Sequence, residues 1–447
     1  MPISSFYGMQ TSLRGLIAQQ RMLDTTGHNI ANASTVGYSR QEALLSASLA
    51  QQIQVSGAGN MTGAHLGSGV DVQGFRRVRD TFLDAQYRAQ NTNLSDWKAR
   101  AEGLDSAELS LNEPSDTGIN AQLSKFWQSW SDLAKSPDDQ AAKQALVQQA
   151  GALTDSIHSV RSQMVAAQDA AMGQYNAIAG AGGDVQKIAT ELASLNKTIS
   201  SFVANGDSPN DLMDRRDVLI DQLSQYGQIS VEQLQGGSTN VSFVDTSGTS
   251  YPIVTDKTAN WAGPPVADWS PGGQMGGLLA IGKSGGTIDG YLASIDSFAD
   301  SLATAVNNAY GGAFFTTSAP SGASIAVSAP IQAAPASITS GSGATGSNDL
   351  ALAVSQLRGN PAIDGVYKAF VAKVGGDLNE SQRMQANAQV LADSVEDRRQ
   401  SVAGVSMDEE MSNLVRFQRA YQASARAMST MDEMLDVLIN RTGRVGL

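Results

Sequence analysis

An apolar stripe of helical period sits at each end of the chain. At the start, Phe6, Met9, Leu13, Leu16, Gln20, Leu23, Gly27 and Ile30 fall at alternating spacings of three and four. Near the other end, Leu414, Phe417, Tyr421, Ser424, Met428, Met431, Leu435 and Leu438 repeat the pattern. This is the spacing of a coiled-coil seam, with Gln20 and Gly27 as weak positions. A lone helix cannot bury such a stripe, so each needs a partner, and the other stripe is the natural candidate. A first helix over residues 5–30 would run about 39 Å at ~1.5 Å per residue. Pro2, with Ser4 and Ser5 as caps, marks its start, and Ser406-Met407-Asp408-Glu409 opens the last helix as a capping box. The two helices are expected to stay loosely ordered in the monomer and to pack on assembly.

The first helix stops in Asn29-Ile30-Ala31-Asn32-Ala33-Ser34-Thr35-Val36-Gly37-Tyr38. Asn, Ser and Thr supply local hydrogen bonds to a turn. Gly37 is expected in a conformation other residues resist, and Asn32 is expected to cap the bend. Residues 41–75 are rich in Gln, Ser and Gly and read as a loop or irregular hairpin, with Leu44-Leu45 and the alternating Val70 and Val72 as short strand. Helix follows from Arg76 to Leu111, anchored by Phe82, Tyr87, Leu94, Trp97, Leu104 and Leu109, and again from Ile119 to Leu133. Ser136-Pro137-Asp138-Asp139 and Ser208-Pro209-Asn210-Asp211 read as two further helix starts. Gly180, Gly182 and Gly183 interrupt the helix after the first of these. Residues 229–235, 239–244 and 249–254 alternate and are β-branched, which predicts a small antiparallel meander. Helix returns over 278–310 with a break at 282–286. Residues 311–348 carry no charge and read as an ordered but irregular surface loop or short strands, with partial disorder as the alternative. From Asp349 onward the chain is helical.

The charge balance narrows the function. The 447 residues hold 30 basic and 43 acidic side chains, a net of −13, which argues against a nucleic-acid partner. There is no cysteine, so disulfides and thiolate metal sites are excluded. No apolar run is long enough to span a membrane, and the N-terminus has none of the marks of a cleaved secretory signal.

Several motifs point elsewhere and fail on context. Gly277-Leu278-Leu279-Ala280-Ile281-Gly282-Lys283-Ser284 matches a phosphate loop, but no strand precedes it and its variable positions suit a buried helical turn. Gly341-Ser342-Gly343-Ala344-Thr345-Gly346 matches a dinucleotide fingerprint without a βαβ unit around it. His28, His65 and His158 are too dispersed for a metal set and read as a helix-end, a loop and a helix-surface residue. Asp211, Asp214, Asp217 and Asp221, beside Arg215 and Arg216, read as a solvated, salt-bridged face. Trp97, Trp127 and Trp130 read as core or interface packing. No cofactor, metal or catalytic residue is expected.

Ala31-Asn32-Ala33-Ser34-Thr35-Val36-Gly37-Tyr38 resembles the A-N-x-x-T-x-G-Y signature of the axial proteins of the bacterial flagellum. Ser39-Arg40-Gln41, the helix Asn210-Asp211-Leu212-Met213-Asp214-Arg215-Arg216-Asp217, the segment 272–279 and the C-terminal run 404–435 narrow the resemblance to the hook-associated protein 1 family. The central β-region is smaller than in many members. The resemblance implies a mainly α fold: long terminal helices in a coiled-coil-like axial layer, a helical rod-shaped body, and a small antiparallel β-rich module inserted in the middle. The expected domains are 1–45 with 405–447 (axial), 46–228 with 276–404 (body), and 229–275 (β-rich module). It implies a structural protein of the extracellular flagellum, exported without a cleaved signal peptide, that forms the hook junction on which the filament is built. Expected partners are copies of itself in a ring or helical lattice, the hook protein, the next hook-associated protein, and an export chaperone at the C-terminal helix. The expected site residues are Asn29, Asn32, Thr35, Gly37, Tyr38, Arg40 and Gln41 in the turn, with Phe6, Met9, Leu13, Leu16, Leu23, Ile30, Leu414, Phe417, Tyr421, Met428, Met431, Leu435 and Leu438 as assembly seam. The alternatives are another axial subunit, from hook or rod, or a nucleotide-binding enzyme using 277–284.

Overall fold

Helix α1 (Tyr7–Ala31) and the last helix, α13 (Met407–Asp436), lie antiparallel against each other in the computed structural model, which describes residues 6–57, 60–265, 269–343 and 346–441. Pro2, Ser4 and Ser5 fall outside the described residues. The register is set by small residues. A Cβ on Gly8 would touch the Met431 side chain at 2.7 Å, one on Gly15 would meet Ser424 Oγ at 3.4 Å, and Asn29 Nδ2 donates to Glu410 at 3.2 Å. This turns α1 about one position away from the predicted stripe. Phe6 and Leu13 are 54% and 43% exposed, Met9, Leu16, Leu23 and Ile30 are half-buried, and the buried residues are Ala18, Thr26 and Asn29. Bulky side chains at the glycine positions would hold the helices apart, so the closest contact falls on the small-residue side. On the other helix, Leu414, Phe417, Tyr421, Met428 and Met431 are half-buried and Leu435 is buried. Leu438 is exposed in the turn that continues α13. Ser406 caps α13 through Glu409 N, but the Glu409 carboxylate reaches Arg40 instead of closing the box.

Four strands, β1 (Gln41–Ala47), β2 (Gln51–Gly57), β3 (Asn60–Leu66) and β4 (Val70–Arg77), occupy the segment read as a loop or irregular hairpin, and the short strands read at Leu44-Leu45 and at Val70 and Val72 fall in β1 and β4. β1 pairs antiparallel with β4, with a bulge between Leu44 and Leu45, and β2 pairs with β3. This arm follows α1: Tyr7 Oη donates to Leu66 O at 2.9 Å, and Arg14 reaches Asp71 at 3.4 Å. Its Gln- and Ser-rich strands have weak local preference and depend on pairing and on α1 for support. The expected boundary after residue 45 therefore falls inside β1, and His65 lies in β3 rather than a loop.

The body is built on three long helices, α2 (Thr81–Leu111), α4 (Gln140–Ala179) and α12 (Val366–Ala403), packed with α3 (Ile119–Lys135), α5 (Asp184–Ala204), α6 (Asn210–Tyr226), α7 (Gly273–Gly282), α8 (Thr287–Tyr310) and α11 (Asp349–Ser355). The glycine breaks at 180–183 and 283–286 fall where the sequence places them. The cap residues differ. Asp139, not Ser136, caps α4 through Ala141 N, while Ser136 ends α3. Ser208 gives α6 no side-chain cap. Phe82 and Leu109, expected anchors of α2, are 66% and 72% exposed. His158 is half-buried with its Nε2 unpartnered.

Phe126 and Trp130, fully buried on α3, pack against Phe314 with ring centroids 6.1 and 5.0 Å away. The segment 311–348 is therefore not a surface loop, while the short strands read there do form. Its strands β9 (Phe315–Thr316) and β10 (Ala326–Val327) and short helices α9 (Ser321–Ser324) and α10 (Ala329–Ala333) bring Phe314, Phe315, Ile325, Ile331 and Ile338 into the core. The lack of charge there reflects burial. The meander has four strands, β5 (Ile229–Gln233), β6 (Thr239–Val244), β7 (Ser250–Thr255) and β8 (Thr258–Ala259), paired in order. Phe243, Trp261 and Trp269 seal it against the helices.

Candidate assembly junction

All seven predicted turn residues lie where the terminal helix pair meets the body. Asn29 is the hub. Its Oδ1 accepts from Tyr38 Oη at 2.8 Å and Gln41 N at 2.9 Å, and its Nδ2 donates to Gln41 O at 2.9 Å and Glu410 at 3.2 Å. Arg40 Nε donates to the other Glu410 oxygen at 2.8 Å. Glu410 is 2% exposed, and these donors compensate the cost of burying its carboxylate. Burial raises the Tyr38 hydroxyl well above its ordinary value, with Asp211, Asp214 and Glu410 adding to it, so it remains a donor.

Asn32 has a smaller part than expected. It is half-buried; its Nδ2 donates to His28 O at 3.0 Å and its Oδ1 accepts from Thr35 at 3.3 Å, closing the bend locally. Gly37 has φ 78°, and a Cβ there would run into the Val218 side chain of α6. Glycine is required twice over, by backbone conformation and by close approach. His28 faces Tyr38, with Nδ1 3.0 Å from its hydroxyl.

The acidic cluster on α6 is the other half of the junction; it is salt-bridged as read, but only Asp211 of its four acids is exposed. Asp214 and Asp217 are 5% and 6% exposed. Ser39 N and Oγ donate to Asp214 at 3.0 and 2.8 Å, fastening the turn to α6. Arg77, at the end of β4, donates to Asp214 at 2.9 Å and Asp217 at 2.6 Å. Arg79 clasps Asp84 and reaches Asp217 at 3.2 Å, while Arg88 and Arg399 hold Asp221 at 2.7 and 2.6 Å. Four arginines thus meet four aspartates from α2, α6, α12 and the end of β4. Burial pushes Asp217 up, but Arg79, Arg77 and Arg88 outweigh it and hold the group below the ordinary carboxylate range. Burial raises Asp214 against the opposing pull of Arg77 and Ser39. Arg215 bonds Glu191 outside the cluster, and Arg216 is buried against Gly237 O, pinning the β5–β6 turn. Sequence spacing showed the acids, but their partners Arg77, Arg79, Arg88 and Arg399 all lie more than a hundred residues away along the chain.

The phosphate-loop match is helix. Residues 277–282 end α7, Leu278 and Ile281 are buried, and Gly277 is small because a Cβ would strike Asp96 O of α2. Lys283 follows at the end of the helix, its N donating to Leu279 O at 3.1 Å. In the dinucleotide match, residues 344 and 345 lie outside the described residues, and Asp349 binds Ser342 beside them. Trp127 and Trp130 are core residues.

Three family models match in succession. That of the flagellar basal body rod protein covers residues 9–38, that of the flagellar hook-associated protein FlgK helical domain covers 104–316, and that of the C-terminal region of flagellar basal body rod FlgEFG proteins covers 399–441. The chain is 29% identical to flagellar hook-associated protein 1 of Bacillus subtilis, over 98% of this chain and 99% of that protein. It is 32% identical to flagellar hook-associated protein 1 of Escherichia coli over 56% of this chain, a match spanning 43% of that relative. The flagellar hook junction protein FlgK of Burkholderia pseudomallei aligns with 52% of the chain at 20% identity and a TM-score of 0.42. The terminal pair and the helical body together define an axial structural protein of the bacterial flagellum. Within that class, the chain is a structural junction component similar to flagellar hook-associated protein 1.

Proposed function

We propose that the residue 29–41 turn is the mechanical joint of this junction protein. The terminal pair, α1 with α13, forms the axial layer, the helical body surrounds it, and the turn fixes the angle between them. The observation that carries this reading is the double attachment: Asn29 and Arg40 grip Glu410 of α13, while the adjacent Ser39 grips Asp214 of α6. Two buried carboxylates on different elements are thus read by one short turn, which favours a fixed orientation over a flexible tether. In this reading the chain sits at the distal end of the hook, contacting hook protein on one side and the next hook-associated protein on the other. An export chaperone covers the C-terminal helix before secretion, and export proceeds without signal cleavage. The protein has no enzymatic role, and the segment 277–284 binds no nucleotide. Gene deletion tests the position: hooks intact, filaments lost and flagellin in the medium are expected. Complementation with Ser39→Ala plus Arg40→Ala tests the joint and should restore few filaments. Normal filaments in the deletion strain would refute the junction role, and full rescue by the double variant would refute the joint.

A further inference from the structure

His28 sits in the last turn of α1, and the hydrogen bonds around it place its proton. Gln41 N donates to Asn29 Oδ1 at 2.9 Å, and Gln41 O accepts from Asn29 Nδ2 at 2.9 Å, so backbone groups fix which way the Asn29 amide points. Tyr38 must then donate to Asn29 Oδ1, at 2.8 Å, and its single hydroxyl proton is spent there. The Tyr38 oxygen is left to accept, so His28 Nδ1, 3.0 Å away, carries the hydrogen. In the neutral ring this leaves Nε2 as a bare lone pair. That Nε2 lies 3.7 Å from Asp211 Oδ2 on α6. The other Asp211 oxygen already accepts from Gln41 Nε2 at 2.8 Å.

We propose that His28 and Asp211 form a proton-operated latch, which ties α1 directly to α6 and tightens the joint on acidification. With the ring neutral, a lone pair faces a carboxylate and the contact repels. With the ring protonated, Nε2–H faces the same oxygen as a cation, and no existing hydrogen bond has to break, because Nδ1 keeps Tyr38. The helix ends act in the same direction: His28 lies at the negative end of α1, and Asp211 lies in the first turn of α6, at its positive end. The other titratable and charged groups of the joint are Asp214 from α6, Tyr38 and Arg40 from the turn, Arg77 from β4, Glu409 and Glu410 from α13, and Asp24 one helical turn back on α1. Both arginines are committed, Arg40 to Glu410 and Arg77 to Asp214 and Asp217, so neither stands against a charge on His28 unopposed. Histidine changes charge between about pH 5 and 8. The contribution of the latch is therefore present at acid pH and lost as the pH rises.

The inference rests on the reading of residues 29–41 as the joint, and the test separates the two. Limited proteolysis of the full chain, read as the rate of cleavage between residues 32 and 41, compares wild type, His28→Gln, Asp211→Asn and the two combined. Each variant is divided by wild type at the same pH, which removes the pH dependence of the protease and the titration of Asp214 common to all four. The two side chains are 43% and 66% exposed, so the effect is modest. From about pH 8 to about pH 5.5 each ratio should rise about two- to fourfold, and the double variant should rise no further than either single one. The nitrogen-15 shifts of the His28 ring at about pH 8 should report hydrogen on Nδ1. Ratios that do not move with pH, a double variant that multiplies the two singles, or hydrogen on Nε2 at the alkaline pH would each overturn the latch. Cleavage of Ser39→Ala plus Arg40→Ala no faster than wild type would overturn the joint instead, while the tautomer and the pH-dependent ratios still decide the latch.

Discussion

Replacing Asn29 by alanine removes the hub of the joint. Four hydrogen bonds go at once, three of them to Tyr38 and the Gln41 backbone and one to the buried Glu410 carboxylate. A neutral bond contributes about 0.5–1.5 kcal/mol net and one to a charged group about 1.5–3 kcal/mol. The sum overstates the loss, because Tyr38 keeps a bond to His28 and Glu410 keeps Arg40. The expected cost is therefore about 2–4 kcal/mol, felt as release of the terminal pair from the turn. Asn32→Ala is the matched control: it removes two local hydrogen bonds around a bend and should cost about 1 kcal/mol or less. Urea unfolding gives the free energies, and limited proteolysis shows whether cleavage concentrates between residues 32 and 41. Equal losses for the two variants, or an Asn29→Ala loss below about 1 kcal/mol, would refute the assignment of Asn29 as the hub.

Gly37→Ala, forced into φ 78° against Val218, should cost about 2 kcal/mol or more and lower motility, measured by thermal unfolding and swimming speed. The low-lying Asp217 contributes stability above its unfolded value of 3.8 that is lost as pH falls below it, whereas the raised Asp214 has the opposite sign. Asp217→Asn should accordingly cost about 3–5 kcal/mol at about pH 5, and its urea midpoint should fall less than wild type on going to about pH 3. Trp130→Ala opens the fully buried aromatic cluster and should cost about 3–5 kcal/mol by chemical denaturation, with loss of the near-ultraviolet circular dichroism of that cluster.

The sequence by itself determined the helical layout, the position of the meander, the glycine breaks at 180–183 and 283–286, and the turn at 29–41. Those features depend on local period, capping chemistry and backbone freedom, which neighbouring residues carry. It also marked the family, since the turn signature and the C-terminal run are short and contiguous. Tertiary structure decided which face of each terminal helix is used inside the chain. Gly8 and Gly15 admit α13 more closely than the larger stripe residues do, and only the paired helices show that Leu13 and Ile17 remain outside. Tertiary structure likewise decided that the β1–β4 arm forms, because its strands take their support from each other and from α1. It turned an acidic stripe into a buried network, because Arg77, Arg79, Arg88 and Arg399 arrive from other elements. An aspartate at helical spacing looks the same in sequence whether water or an arginine faces it; the long-range partners that separate the two cases exist only once the chain has folded.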